Sequence, residues 1–234
     1  TDKNERHYID GLKERNTLLY AGTKYHLSQW YYRSKIDYLF VDEAGQISIA
    51  DLIALGGVAK NIILVGDQLQ LGQPTQGSHP GLSNNSVLDY LLQGKDTVED
   101  NRGIFLSRTY RMHPNINSFI SENFYENKLL TNPENKNRKI DFPKNFFLNN
   151  EGIHTILMDH EDCTQTSEQE FKKIDEIIKK LIGRKFTDAD NKERPLTIED
   201  FLIVSPYNAQ VNFLLARLPK GTRCGTIDRF QGQE

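Results

Sequence analysis

The segment IDYLFVDEAGQ, residues 36–46, sets two adjacent carboxylates, Asp42 and Glu43, directly after an apolar run of strand-forming residues. Open α/β sheets bind ligands beyond the carboxyl ends of their strands, so this pair would stand at the mouth of a site. The alternative is that the pair caps the helix beginning near Ser48. NIILVGDQLQLGQP, residues 61–74, repeats the pattern, with a strand that ends at Asp67 and Gln70 just beyond. Parallel neighbours joined by a short helix would bring Asp67 and Gln70 beside Asp42 and Glu43. Taken alone, a Gly-Asp turn after a strand is also ordinary loop chemistry. In FLSRTYRMHPNINSFISENFYENKL, residues 105–129, Arg111 offers a permanent charge on a planar fork of donors, suited to charge on a transferred phosphoryl group. Tyr110 beside it could stack on the base of a nucleotide, whereas Met112 and His113 read as the cap of a helix. Finally, LIVSPYNAQV, residues 202–211, puts Ser205, Tyr207, Asn208 and Gln210 at a strand-to-helix mouth, where hydroxyls and amides could hold a phosphate backbone.

Strands and helices must hold these groups. Short apolar, β-branched runs predict strands at 36–41, 62–65, 153–158 and 201–204. Helical spacing follows Ser167, with Phe171, Ile174, Ile177, Ile178 and Leu181 on one face and Ser167 and Glu170 in capping-box register. Two more helices are predicted, over 209–218 and after Pro114. Residues 72–85 and 131–150 are rich in turn-forming and polar side chains and read as loops. Strands alternating with helices imply an α/β fold with parallel sheets covered on both faces, in two domains, 1–104 and 105–234.

Composition excludes less than it permits. The 234 residues are 37% hydrophobic and 26% charged, with a net charge of -3, as in an ordinary globular protein. That balance neither announces nor excludes a nucleic-acid partner, because a strand-binding groove needs only local positive charge. No apolar run approaches the ~18 residues of a membrane span, and the charged start lacks a signal-peptide core, so a cytoplasmic protein is expected. Cys163 and Cys224 are far apart and the six histidines lack ligand spacing, which predicts neither disulfide nor structural zinc. A start without methionine and an end inside an apparent motif lead to the expectation that the residues belong to a longer polypeptide.

In order and spacing these segments resemble the motifs of superfamily 1 RecA-like DNA and RNA helicases over nearly the whole chain. VDEA is similar to their Walker B motif, which implies that Asp42 engages Mg²⁺ and that Glu43 orients and deprotonates the attacking water. GDQLQL resembles motif III and implies that Gln70 contacts the γ-phosphate or that water. TYRMHP matches the signature usually written QYRMHP, with Thr109 in place of Gln, and implies Arg111 as an arginine finger. SPYNAQ resembles a motif that grips single strands. GTIDRFQGQE resembles motif V, which assigns Thr226 to the strand track and Gly232 and Glu234 to the ATP cleft; packing is the plainer reading of Phe230. AGTKYHLSQ, residues 21–29, resembles the segment in which Thr23 and Ser28 contact the backbone, although a surface turn explains it equally. The resemblance extends to bacterial fusions of such a helicase with a RecB-like nuclease, which implies 5′ to 3′ movement.

The implied fold is two RecA-like lobes, each incomplete in this chain, and the implied ligands are ATP, Mg²⁺ and single-stranded DNA or RNA. No GxxxxGK[ST] occurs, so no glycine-rich loop here cradles phosphates. The family's last arginine motif is also missing. The expectation is a helicase ATPase in which this segment alone is inactive and the remainder of the parent polypeptide completes the site. The alternatives are a non-catalytic nucleic-acid-binding or scaffold module and an ATPase that remodels protein.

Overall fold

The computed structural model describes residues 19–230, apart from 30, 31, 33, 35, 73–76, 78, 79, 84, 149, 150 and 162. The chain forms two compact units that divide between Asp96 and Thr97. The sequence sets the division at 104. Residues from Thr97 onward join the second unit because the Thr97 hydroxyl donates to Glu126 Oε1 at 3.0 Å and accepts from Lys128 Nζ at 2.7 Å.

In the first unit, strands β1 (Ile36–Val41) and β2 (Ala59–Leu64) run parallel, with Ile36 opposite Ala59 and Val41 opposite Leu64. Helix α2 (Ile49–Leu55) makes the crossover, and Ser48 Oγ caps it by accepting from Asp51 N at 3.1 Å. Helix α1 (Lys24–Leu27) is tied to α2 by the Lys24–Asp51 ion pair at 2.6 Å. Burial works to raise the Asp51 carboxyl, but the Lys24 and Ser48 hydrogen bonds outweigh it and leave it below its ordinary value. Helix α3 (Val87–Leu92) closes a core of Leu27, Tyr32, Leu39, Val41, Ala44, Leu55, Val58 and Val87. Strand β1 buries Leu39 and Val41 but leaves Tyr38 and Phe40 60% and 65% exposed. The predicted cover on both faces is therefore met on one face of β1 among the described residues.

Among the described residues the second unit holds three small sheets. Strands β3 (Arg108–Thr109) and β4 (Leu130–Thr131) are parallel, with helix α4 (Pro114–Phe124) between them. Strands β5 (Lys139–Ile140), β6 (Lys185–Thr187) and β7 (Glu193–Pro195) are antiparallel, which the expectation of parallel sheets missed. Their hairpin turns at Asp188, whose carboxylate accepts from Asp190 N and Lys192 N at 2.9 Å each. Strands β8 (Leu202–Val204) and β9 (Arg223–Gly225) are parallel across helix α6 (Asn208–Leu215). Helix α5 (Glu168–Leu181) packs Phe171, Ile174 and Ile178 against Val211, Leu214, Leu218 and Cys224. A short helix α7 (Ile227–Phe230) follows β9.

Two expectations need correction. Residues 153–158 pair with no strand among the described residues, and Leu157 is 92% exposed. Apolar, β-branched composition signals burial, whereas a strand also needs a neighbour's amides and carbonyls. The stretch 131–150 is not simply loop: it contains the last residue of β4, the whole of β5 and the 3-10 helix Pro133–Asn137. These mixed helices and short parallel sheets are consistent with the RecA-like α/β fold that the motif resemblance implies.

Candidate nucleotide and strand-binding sites

The two acidic strand ends in the first unit meet through backbone rather than side chains. Hydrogen bonding continues past both strands, from Ala44 N to Val65 O and from Val65 N to Val41 O, each at 2.9 Å. A Cβ on Gly45 would lie 2.3 Å from Asp67 O, and one on Gly66 would lie 2.6 Å from Ala44 N. Only glycine permits that approach. The loops carrying Asp42 with Glu43 and Asp67 with Gln70 are thus pressed together, and these two glycines are the site-shaping residues that motif reading overlooked. Their position immediately around two strand ends was the available signal.

Glu43 stands in the left-handed region at φ 51° and ψ 43°, heading the 3-10 helix Ala44–Gln46. A side chain there costs on the order of 1 kcal/mol relative to ordinary backbone. Neither carboxylate caps α2, whose cap is Ser48. Asp42 Oδ1 accepts from Glu43 N at 2.9 Å, and both side chains are exposed. Asp67 Oδ1 accepts from Leu69 N at 3.0 Å, while its Oδ2 meets Gln70 Nε2 at 3.4 Å, which orients the Gln70 amide. Exposed carboxylate oxygens beside an oriented amide suit a hydrated divalent cation and a phosphate oxygen.

In the second unit, Tyr110 is 67% exposed and Arg111 is exposed next to it. Arg111 N donates to Thr109 Oγ1 at 3.3 Å, so the Thr at this place supports the turn. His113 is buried and caps α4: its Nδ1 accepts from Asn115 N at 3.2 Å. That acceptor role places the ring proton on Nε2, which faces Glu151 Oε2 at 3.3 Å. The capping reading of His113 is the one its geometry shows.

The β8 and β9 ends form another pair of tips. Val204 lies opposite Gly225, and Ser205 N donates to Gly225 O at 3.1 Å, which sets Ser205 beside the start of the Thr226 turn. Ser205 is buried; its Oγ accepts from Tyr207 N at 3.3 Å and keeps its proton to donate. Tyr207 and Asn208 are exposed at the mouth of α6, and the Thr226 carbonyl caps α7 by accepting from Arg229 N at 3.1 Å. Gln210 does not belong with them. It is 3% exposed, its Oε1 accepts from Ser167 N at 2.9 Å, and its Nε2 donates to Glu170 Oε2 at 3.0 Å, so it joins α6 to α5. That bond also diverts Glu170 from the predicted reciprocal cap, leaving Ser167 Oγ to accept from Glu170 N at 3.1 Å.

Upstream, Thr23 caps α1 by accepting from His26 N at 3.3 Å, and Ser28 Oγ donates to Tyr25 O at 3.0 Å. Both hydroxyls serve a local turn. Gly232 and Glu234 lie outside the described residues. Gly225 packs closely on α7: a Cβ there would lie 2.7 Å from Arg229 Cδ and 3.0 Å from Phe230 Cε2.

Comparison with known proteins agrees with these motifs. An AAA-domain family model matches residues 84–234. The chain is 29% identical over 219 residues to DNA polymerase alpha-associated DNA helicase A of Schizosaccharomyces pombe, covering 86% of the chain and 31% of that protein. It is 28% identical to the Drosophila melanogaster Regulator of nonsense transcripts 1 homolog, covering 86% of the chain and 18% of the relative. It is also 28% identical to the Gallus gallus DNA replication ATP-dependent helicase/nuclease DNA2, covering 86% and 19%. The chain therefore spans about a third or less of the length of these relatives. The AAA-domain match over more than half of the residues, together with the helicase motifs in order, makes the chain a member of the superfamily 1 helicases.

Proposed function

We propose that this chain is the central part of an ATP-dependent helicase or translocase that moves on single-stranded DNA or RNA. The observation that carries the proposal is the glycine-locked union of two strand ends bearing Asp42, Glu43, Asp67 and Gln70. Glu43 is exposed at the junction of these loops in left-handed backbone, a conformation that can serve to aim a side chain. In this reading Asp42 holds the water shell of Mg²⁺, Glu43 draws a proton from the attacking water, and Gln70 orients that water. Mg²⁺ would neutralise charge on the phosphates. Arg111 supplies a fixed cation to the transferred group, and Tyr110 offers a face for the base. Ser205, Tyr207, Asn208 and Thr226 of the second unit are assigned to a nucleic-acid backbone, and Thr23 and Ser28 of the first unit are given the same role on motif resemblance alone. Gly232 and Glu234 are assigned to the nucleotide on motif resemblance alone.

The exposed Tyr38 and Phe40 face of β1 supports a further claim, that additional polypeptide completes this lobe and supplies the phosphate loop. Phosphate release by the purified 234-residue chain with ATP, Mg²⁺ and single-stranded oligonucleotide should stay at background, and Glu43-dependent turnover would contradict this. A second reading is a scaffold that binds strands without turnover. The two readings part on the longest natural polypeptide containing these residues: strand-stimulated hydrolysis supports the motor, and strand binding without hydrolysis supports the scaffold. In either case affinity should fall as salt rises and vary little with base sequence.

A further inference from the structure

We infer that Asn135 is a positioning residue for Arg111, holding from inside the second unit the loop that carries the arginine. The inference rests on the proposed role of Arg111 at a phosphate. Residues 110–113 lie between the end of β3 at Thr109 and the start of α4 at Pro114, where His113 caps the helix. Two further hydrogen bonds hold the backbone on either side of the Arg111 side chain. Arg111 N donates to Thr109 Oγ1 at 3.3 Å, and the Met112 carbonyl accepts from Asn135 Nδ2 at 3.0 Å. The peptide groups that flank Arg111 and Met112 are thereby held on both sides.

Asn135 is suited to this by its own immobility. It is 0% exposed on the 3-10 helix Pro133–Asn137, its N–H donates to Asn132 O at 2.9 Å, and its carbonyl accepts from Arg138 N at 3.2 Å. Asn132 N in turn donates to Thr109 O at 2.9 Å, which registers this 3-10 helix on β3. Asn137 Nδ2 donates to Ala189 O at 2.9 Å and anchors the other end.

Asn135 Oδ1 is buried without a hydrogen-bond partner among the described residues. Rotating the amide would set Oδ1 against the Met112 carbonyl, two acceptors facing each other, so the Met112 bond decides its orientation. An apolar side chain would fill the space without an orphaned oxygen. The donor to Met112 O is what asparagine supplies here and an apolar residue does not.

The test is a double-mutant cycle on strand-stimulated ATP hydrolysis, measured in the longest natural polypeptide containing these residues. Asn135→Ala should lower kcat about tenfold or more while KM for ATP stays within about twofold, because a displaced arginine is lost mainly in the transition state. Arg111→Ala should lower kcat further, and Asn135→Ala added to it should produce no additional fall. If both singles impair turnover and their effects multiply, Asn135 acts elsewhere and the inference is overturned. Normal turnover in Asn135→Ala with an impaired Arg111→Ala also overturns it alone. Normal turnover in Arg111→Ala removes the functional reading, and the inference with it. Asn135→Ser, which keeps a polar group too short for the Met112 carbonyl, guards against misfolding. Loss of ATP binding in both Asn135 variants would assign the residue to stability and reject the inference.

Discussion

The tips of β1 and β2 and the tips of β8 and β9 are built alike and carry opposite chemistry. Each is a parallel pair crossed by one short helix, with level strand ends and glycine at the close approach. The first presents carboxylates and an amide on exposed loops, whereas the second presents hydroxyls and ring edges, with Ser205 buried. An acidic tip can hold a cation and aim a water; a hydroxyl tip can hold a polyanion but brings no base. The comparison teaches that the sheet ends supply position and the loops supply chemistry.

The glycines sharpen this contrast. Gly45 and Gly66 face backbone, which cannot turn aside, while Gly225 faces the ends of Arg229 and Phe230 side chains, which can. Gly45→Ala should therefore destabilise the first unit by about 3 kcal/mol or more, with Gly66→Ala close behind, measured by denaturant unfolding. Gly225→Ala should cost about 1 kcal/mol. Equal costs at the two tips would end the claim that the acidic pair is the more tightly built.

A smaller effect concerns pH, to which the lowered Asp51 carboxyl exposes the first unit as well. Just before the start of β8, Asp200 is forked by Arg194 at 2.6 and 2.7 Å, and this pair, helped by Thr197 N, holds its carboxyl well below the usual range against the opposing effect of burial. A depressed folded-state value contributes stability that is present above the unfolded value of about 4 and lost as pH falls through the folded one. The second unit should weaken below about pH 4, and Asp200→Asn should flatten that part of the profile. An unchanged profile in the variant would mean that the fork is ornamental.

The least costly check concerns thiols. Cys224 is 2% exposed between Arg223 and Gly225, and burial pushes its thiol up, whereas Cys163 is exposed. Native alkylation should label Cys163 first and Cys224 only on unfolding. Fast labelling of Cys224 would show that the β8 and β9 pair opens more readily than its packing implies.

What was legible in the sequence followed local pattern. The β1 run ending in Asp42 and the Ser167 cap of α5 are each written in a few neighbouring residues. Residues 153–158 misled because their composition is local but their pairing is not. Gln210 misled for a related reason: its motif position points to a surface, while its partners Ser167 and Glu170 lie forty or more residues away and bury it. Asn135 was hidden in a polar stretch that looked solvated, since only the fold sets it against Met112. No helix among the described residues is long and apolar enough to cross a membrane.

The central claim is that the aimed glutamate beside the glycine-locked tips is the base of an ATPase. Its most direct test is Glu43→Gln in the longest natural polypeptide containing these residues, read as strand-stimulated ATP hydrolysis alongside ATP binding. The expected result is a fall in kcat of about a hundredfold or more with nucleotide and strand binding retained. Turnover within about twofold of the unmodified protein would contradict the claim.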